Sequence, residues 1–156
     1  MQPQTETLLA LWIEARTRFT NQLTNLIEAD LQKRLPPSPN SVGFLIRHIG
    51  DVELLFAKNV FGDSSIKVSA QTVIAQKDTG EWIHLEELLS YVAHSFSVLE
   101  TIVKTQTDAD WNSIITTKEF GTKTKAEAFG RIVSHTAYHA GQLAILVKYG
   151  TQKEQL

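Results

Sequence analysis

Two histidines four residues apart, His135 and His139, are the residues in this sequence that point most directly to chemistry. A four-residue step along an α-helix turns the chain about 40° past a full revolution and rises about 6 Å, so both imidazoles project from one face. That spacing suits two ligands of one metal ion. Ile132, Leu143 and Leu146 share the same arc, so we expect the pair to point into the fold.

The pair alone leaves two interpretations open. Burying two imidazoles without partners is unfavourable by several kcal/mol, so each ring needs a polar contact. A metal ion can provide it, and so can hydrogen bonds from serine, threonine or carboxylate side chains. The HxxxH spacing does not decide between them.

A third histidine, His48, lies in the apolar arc of another predicted helix. A single histidine in such an arc is usually a hydrogen-bonded core residue. Three inward-facing histidines from two helices, however, match the three-imidazole zinc sites that keep a fourth position open for a substrate. Imidazole ligands suit zinc, nickel, copper or iron and select poorly among them.

The residues around the histidines limit the chemistry further. Thr136 follows His135, so the general base of the HExxH metalloproteases is missing. Gln142 and Tyr138 are the candidate groups that could orient a ligand or donate a proton. A helix-surface glutamine and a tyrosine that packs between helices are the alternative interpretations.

Two acidic residues and two further histidines are given no part in the metal site. Asp51 follows His48 by three positions and could accept a hydrogen bond, but we expect it to be exposed. Glu53 faces away from His48 on the helical wheel, which predicts a surface position. His84 precedes a helix, and His94 falls outside the apolar stripe of its helix.

Four stretches of helical periodicity must position these side chains. They predict an all-α fold, a four-helix bundle with a long connection between the second and third helices. Residues 62–80 in that connection could form a short strand or a crossover, and their length permits the third helix to run parallel to the second. The four stretches are 5–28, from Asn40 or Ser41 to Gly62, 84–104, and 125–149.

The composition supports one domain over residues 1–156. Hydrophobic residues make up 42%, charged residues 21%, and the formal net charge is −2. The scattered basic residues argue against a nucleic-acid partner. No cysteine is present, which excludes thiolate ligands and nucleophiles. Without a basic leader or an apolar run of about 20 residues, we predict a cytoplasmic protein with no membrane partner.

Two segments carry a resemblance to a known family. The sequence from Ser41 through His48 to Glu53 resembles the second helix of the DinB-like (damage-inducible) superfamily. The sequence from Ser134 to Leu143 resembles its fourth-helix signature. The order and spacing of the helices are similar over essentially the whole chain.

The resemblance implies a four-helix bundle whose metal triad corresponds to His48, His135 and His139. It also implies a homodimer and a small-molecule substrate, since the superfamily includes metal-dependent thiol S-transferases that use low-molecular-weight thiols, and a maleylpyruvate isomerase. We therefore predict a metal-dependent enzyme, a thiol S-transferase or a hydrolase. Zinc or nickel is the preferred ion, with iron, manganese or copper as other candidates. The alternatives are a non-catalytic metal or small-ligand binding bundle, and a bundle whose histidines only form hydrogen bonds.

Overall fold

Four long helices dominate the computed structural model, which describes residues 1–152. Two short helices, one 3-10 helix and a small hairpin connect them. In chain order the α-helices and strands are α1 Pro3–Leu23, α2 Val42–Asn59, α3 Gln71–Ala75, α4 Leu85–Lys104, α5 Asp108–Asn112, β1 Ile114–Thr117, β2 Gly121–Thr124 and α6 Lys125–Tyr149.

The ends of the helices follow local sequence signals. The hydroxyl of Ser41 caps α2 by accepting a hydrogen bond from the Phe44 N–H at 3.1 Å, which selects Ser41 over Asn40 as the cap. Thr124 and Glu127 form a capping box at the start of α6. The first helix ends at Leu23, before the predicted end, because Leu26 and the 3-10 helix Glu28–Gln32 turn back so that apolar side chains enter the core.

The prediction of an all-α chain is wrong between α5 and α6. Strands β1 and β2 pair antiparallel, with Ile114 opposite Thr124 and Thr117 opposite Gly121. Threonine and isoleucine favour the extended backbone, and Gly121 adopts a φ of 72° that suits glycine. Phe120, in the turn of this hairpin, packs with the core cluster around Trp12 and Phe129.

Helices α2 and α4 run parallel and approach each other closely at two glycines. A Cβ on Gly43 would overlap the backbone carbonyl of Trp82, just before α4. A Cβ on Gly50 would lie 2.8 Å from the ring of Tyr91 and 3.3 Å from the Ser95 hydroxyl. The absence of a side chain at these two positions therefore allows the close packing of α2 against α4. The connection between the helices contains α3 and, in the described residues, no strand.

A buried ion pair joins three helices and corrects the surface position predicted for Glu53. Its side chain is fully buried and accepts a hydrogen bond from Arg16 Nε at 2.6 Å and from the Ser95 hydroxyl at 2.5 Å. Burial raises the pKa of Glu53, while Arg16 and Ser95 oppose that rise. The helical wheel placed Glu53 away from His48 but did not reveal that this side faces α1 and α4.

The described residues contain two adjoining apolar clusters, one at each end of the long helices. Among residues 1–152, no helix has both the length and the apolar character that crossing a bilayer requires.

Candidate metal centre

Helices α2 and α6 bring His48, His135 and His139 together. One nitrogen from each ring lies within 4.8 Å of the others. The ring centroids are 5.0 Å apart for His48 and His135, 4.9 Å for His48 and His139, and 4.4 Å for His135 and His139. The three rings are partly buried, and all three line one cavity.

A chain of hydrogen bonds fixes the ring of His48. Nδ1 of His48 lies 3.1 Å from Oγ1 of Thr72, and that hydroxyl donates its proton to Oδ2 of Asp51 at 2.7 Å. Because a threonine hydroxyl has one proton, Thr72 must accept from His48 Nδ1–H. The proton on Nδ1 leaves Nε2 of His48 with a free lone pair that faces His135.

Asp51 is fully buried, so the expectation that it is exposed is wrong. Its carboxylate accepts hydrogen bonds from Arg47 Nε at 2.9 Å, the Tyr91 hydroxyl at 2.6 Å, and both the N–H and the hydroxyl of Thr72. Burial and the neighbouring carboxylate raise the pKa of Tyr91, which keeps this phenol a donor. Asp51 thus connects His48 to α3 and α4.

His139 has a partner on its own helix. Nδ1 of His139 donates to the Gln142 amide oxygen at 2.6 Å, and Nε2 of Gln142 donates to the Tyr138 hydroxyl at 3.1 Å. Gln142 therefore contacts a histidine of the cluster, and its part in orienting a ligand stays a prediction. Tyr138 is 64% exposed and is not the packing tyrosine that the alternative described.

The ring of His135 is held differently. Its Nε2 lies 3.1 Å from Nε2 of His48, and its Nδ1 is buried without a hydrogen-bond partner in the described part of the chain. Since Nε2 of His48 carries no proton, Nε2–H of His135 donates to it, and this hydrogen bond and packing against the other imidazoles hold the ring, without an anchor at Nδ1 of the kind found for His48 and His139.

The three imidazoles are neutral at physiological pH. Burial, followed by the nearby His139, lowers the pKa of His48 to about 4, and Asp51 opposes this shift. Burial and the two other histidines lower the pKa of His135 to about 3. The pKa of His139 is also lowered by burial, against the hydrogen bond to Gln142. A neutral imidazole has the free lone pair that a metal ion needs.

The donor set fits a divalent ion. Two nitrogen ligands about 2.0–2.1 Å from a tetrahedral zinc ion are about 3.3 Å apart. The Nε2 atoms of His48 and His135 are separated by 3.1 Å, which is close to that value. Hydrogen bonds at Nδ1 of His48 and His139 leave their Nε2 atoms free, as in histidine metal sites in general.

A cavity of about 650 Å³ opens beside the three histidines. Its walls come from α2, α6 and the turn of the hairpin, and they include Val52, Phe56, Phe120 and Tyr138. The volume is sufficient for a small organic molecule. A ligand in this cavity would therefore lie against the imidazoles.

The sequence missed the residues that support the site from other elements. Thr72 lies in α3, within a stretch without clear periodicity, and no local pattern connects it to His48. The hairpin residues that line the cavity likewise lie outside the four stretches of helical periodicity. His84 and His94 are exposed and lie outside the cluster, as predicted.

The sequence profile of the DinB superfamily matches residues 11–143, a span that contains all three histidines. The chain therefore belongs to the DinB superfamily. No curated protein matches the sequence significantly.

Solved structures share the fold at low sequence identity. The crystal structure of a mycothiol-dependent maleylpyruvate isomerase has a TM-score of 0.70 and 16% identity, and the match covers 92% of this chain but only 63% of the isomerase. A conserved protein from Enterococcus faecalis has a TM-score of 0.66 and 17% identity, with 95% and 96% of the two chains covered. At these identities the likeness establishes a common fold.

Proposed function

We propose that this protein is a metal-dependent enzyme in which His48, His135 and His139 hold one divalent ion. The observation that carries the proposal is the convergence of three neutral imidazoles within 4.8 Å beside a cavity of about 650 Å³. A divalent ion held there supplies Lewis-acid activation, which makes a water or a thiol nucleophilic at neutral pH.

The residues of the chain prepare the site before any ion binds. Thr72 and Gln142 each accept a hydrogen bond from Nδ1–H of a histidine, which keeps the proton on Nδ1 and leaves Nε2 of that ring available as a ligand. Tyr138 lines the cavity with a hydroxyl that accepts from Gln142, so its own proton can be directed to a substrate. We assign Gln142 a positioning role and Tyr138 a role in substrate contact.

Metal content tests the ligand set directly. After chelator treatment, titration with zinc and nickel should give one ion per chain, and His48→Ala, His135→Ala and His139→Ala should each lose most of that binding. His94→Ala is the matched control, because His94 is an exposed histidine on α4. Unchanged stoichiometry and affinity in all three triad variants would contradict the proposal.

Thiol S-transfer is the preferred reaction, and hydrolysis is the second. The isomerase with a similar fold is mycothiol-dependent, which supports a low-molecular-weight thiol as a substrate here. Zinc and nickel suit a site of three imidazoles, and iron, manganese and copper are the other candidates. The protein loaded with each ion should be assayed with two sets of substrates. Turnover of a thiol with an electrophile would support S-transfer, and turnover of esters or amides would support hydrolysis.

A non-catalytic metal or small-ligand binding protein is the second candidate function. One observation favours it: Glu119, on the exposed hairpin turn, is the sole carboxylate that lines the cavity among the described residues. Within residues 1–152, the cavity wall therefore offers no other carboxylate that could act as a base. Tight metal binding with no turnover of any thiol or ester would support this candidate.

We further propose that α1, α2, α4 and α6 form the four-helix bundle of a single cytoplasmic domain, with the long connection between α2 and α4. The same proposal includes a homodimer, as the resemblance to the superfamily implies. Light scattering coupled to gel filtration should then give twice the chain mass, and a monomer at all concentrations would contradict the dimer.

A further inference from the structure

We propose that the end of the cavity away from the histidines is an anion subsite, in which Arg131 and Lys118 bind the carboxylate of an elongated substrate. The inference rests on the proposed function for the position of the reacting atom. It adds a substrate class, an organic anion with an apolar middle and a metal-binding head.

The cavity is long and has two chemically different ends. Along α2 its lining begins at His48, and the hairpin turn packs on this helix at Phe56, eight residues or about 12 Å further on, where the ring centroids of Phe56 and Phe120 are 6.3 Å apart. Helix α6 runs antiparallel, because His48 meets His139 at one end while Val60 and Phe129 share a core cluster at the other. A ligand aligned with these helices can therefore contact both ends.

The side chain of Arg131 extends from α6 to the hairpin turn, which is the end of the cavity away from the histidines. Arg131 precedes His135 by one helical turn, about 6 Å along α6, and lines the same cavity. Its guanidinium carbon lies 5.5 Å from the ring centroid of Phe120. This cation–π contact holds the guanidinium group next to the hairpin turn. None of the ion pairs found within residues 1–152 involves Arg131 or Lys118.

The charges at this end favour an anion. Arg131 and Lys118 contribute two positive charges, and Glu119 in the same turn contributes one negative charge, which leaves an excess of one positive charge. Guanidinium groups bind carboxylates with two parallel hydrogen bonds.

The middle of the cavity is apolar. Val52, Leu55 and Phe56 of α2 line it between the two ends. A hydrocarbon chain suits this middle, while a carboxylate suits the far end. The combination defines the substrate class more narrowly than the three histidines do.

Binding of two matched thiols to the cobalt-loaded protein tests the subsite. Mercaptohexanoate and mercaptohexanol have the same chain and the same thiol, and differ in the charge of the other end. A thiolate bound to cobalt gives an absorption band, which reports the dissociation constant without any turnover. We expect mercaptohexanoate to bind about tenfold more tightly than mercaptohexanol, and the difference to shrink with added salt.

The variants assign the difference to residues. Arg131→Gln should weaken mercaptohexanoate about tenfold and leave mercaptohexanol unchanged, and Lys118→Gln should have a smaller effect in the same direction. Arg18→Gln is the control, because Arg18 is an exposed arginine on α1 that pairs with Glu14. Equal affinities of the two thiols, or an unchanged preference in Arg131→Gln, would overturn the subsite.

A second measurement separates this inference from the proposed function. If neither thiol changes the cobalt spectrum, the thiol reaction is excluded. Hexanoate and hexanol added to the metal-free protein then decide the subsite on their own. NMR shifts of the Phe120 and Arg131 amide signals that appear with hexanoate but not with hexanol would support the subsite. No shifts, or equal shifts with both compounds, would overturn it.

Discussion

At the scale of single residues, Thr72 explains how one histidine is held ready. Its hydroxyl accepts from His48 and donates to the buried Asp51, and its N–H donates to the same carboxylate. The N–H and the hydroxyl of Thr72 are thus both oriented by the carboxylate of Asp51. The orientation of the His48 ring therefore depends on an α3 residue that is 24 positions away in the sequence.

Thr72→Val should lower the affinity for zinc by about 10- to 100-fold, because the isosteric side chain removes the acceptor at His48 Nδ1. Competition with a chromophoric chelator measures this change. Thr72→Ser keeps the hydroxyl and should restore most of the affinity. Thr101→Val is a control, since Thr101 is exposed and bonds only the carbonyl of Ser97 on its own helix.

The prediction would be contradicted by equal zinc affinity in Thr72→Val and the wild type. The ¹⁵N signals of the His48 ring in metal-free protein provide a second readout. They should show the Nδ1–H tautomer in the wild type and in Thr72→Ser, and a mixture of tautomers in Thr72→Val.

The sequence predicted the cluster of three histidines because helical periodicity fixes which side chains share a face. It could not predict Thr72 or the burial of Asp51, because those contacts join elements that are distant in the chain. Glu53 shows the same limit. The helical wheel shows that Glu53 lies away from His48. It does not show that tertiary packing brings Arg16 and Ser95 to that side.

At the scale of elements, the close contact of α2 with α4 determines where His48 lies. Gly43 lets the backbone before α4 approach α2, and Gly50 makes room for the ring of Tyr91. That ring in turn bonds Asp51. The same face of α2 therefore contributes both the interhelical contact and the polar anchor of the site.

Gly43→Ala should destabilise the protein by more than about 1 kcal/mol, because the new methyl group overlaps a backbone carbonyl that cannot rotate away. Gly141→Ala is the matched control on α6, where a Cβ meets nothing within 4 Å. There alanine should stabilise the helix by about 0.5–1 kcal/mol. Urea unfolding of both variants measures the difference, and a neutral or stabilising Gly43→Ala would contradict the packing.

The long helices were predictable from apolar periodicity and caps, and three of the four both begin and end within a few residues of the expected positions. The fourth, α1, ends early because Leu26 and Leu31 must reach the core. The hairpin was missed because its strands have four residues each, which is too short for an alternating pattern. Its threonine content resembles that of a loop.

At the scale of the whole molecule, the histidines link folding to pH. In the unfolded chain a histidine binds a proton below a pH of about 6.5. In the folded protein the pKa of His48 is about 4 and that of His135 is about 3, both lowered mainly by burial. The stability from these groups is therefore fully present above pH 6.5 and is lost as the pH falls toward their folded pKa values.

Lowering the pH from about 7.5 to about 5 should reduce the unfolding free energy of metal-free protein by about 2 kcal/mol for each of His48 and His135. Urea titrations at both pH values measure the change. His135→Gln should lose less stability over this interval than the wild type, while His94→Gln should follow the wild type. An identical pH dependence in His135→Gln would contradict the lowered pKa.

The hairpin between α5 and α6 gives the cavity a wall that shares no residue with the histidine cluster. Insertions, deletions and substitutions in its turn can alter the shape and charge of that wall while α2 and α6 keep the imidazoles in place. Substrate choice can therefore diverge between relatives without loss of the metal-binding residues. A library of hairpin turns on this scaffold is a direct route to new specificities.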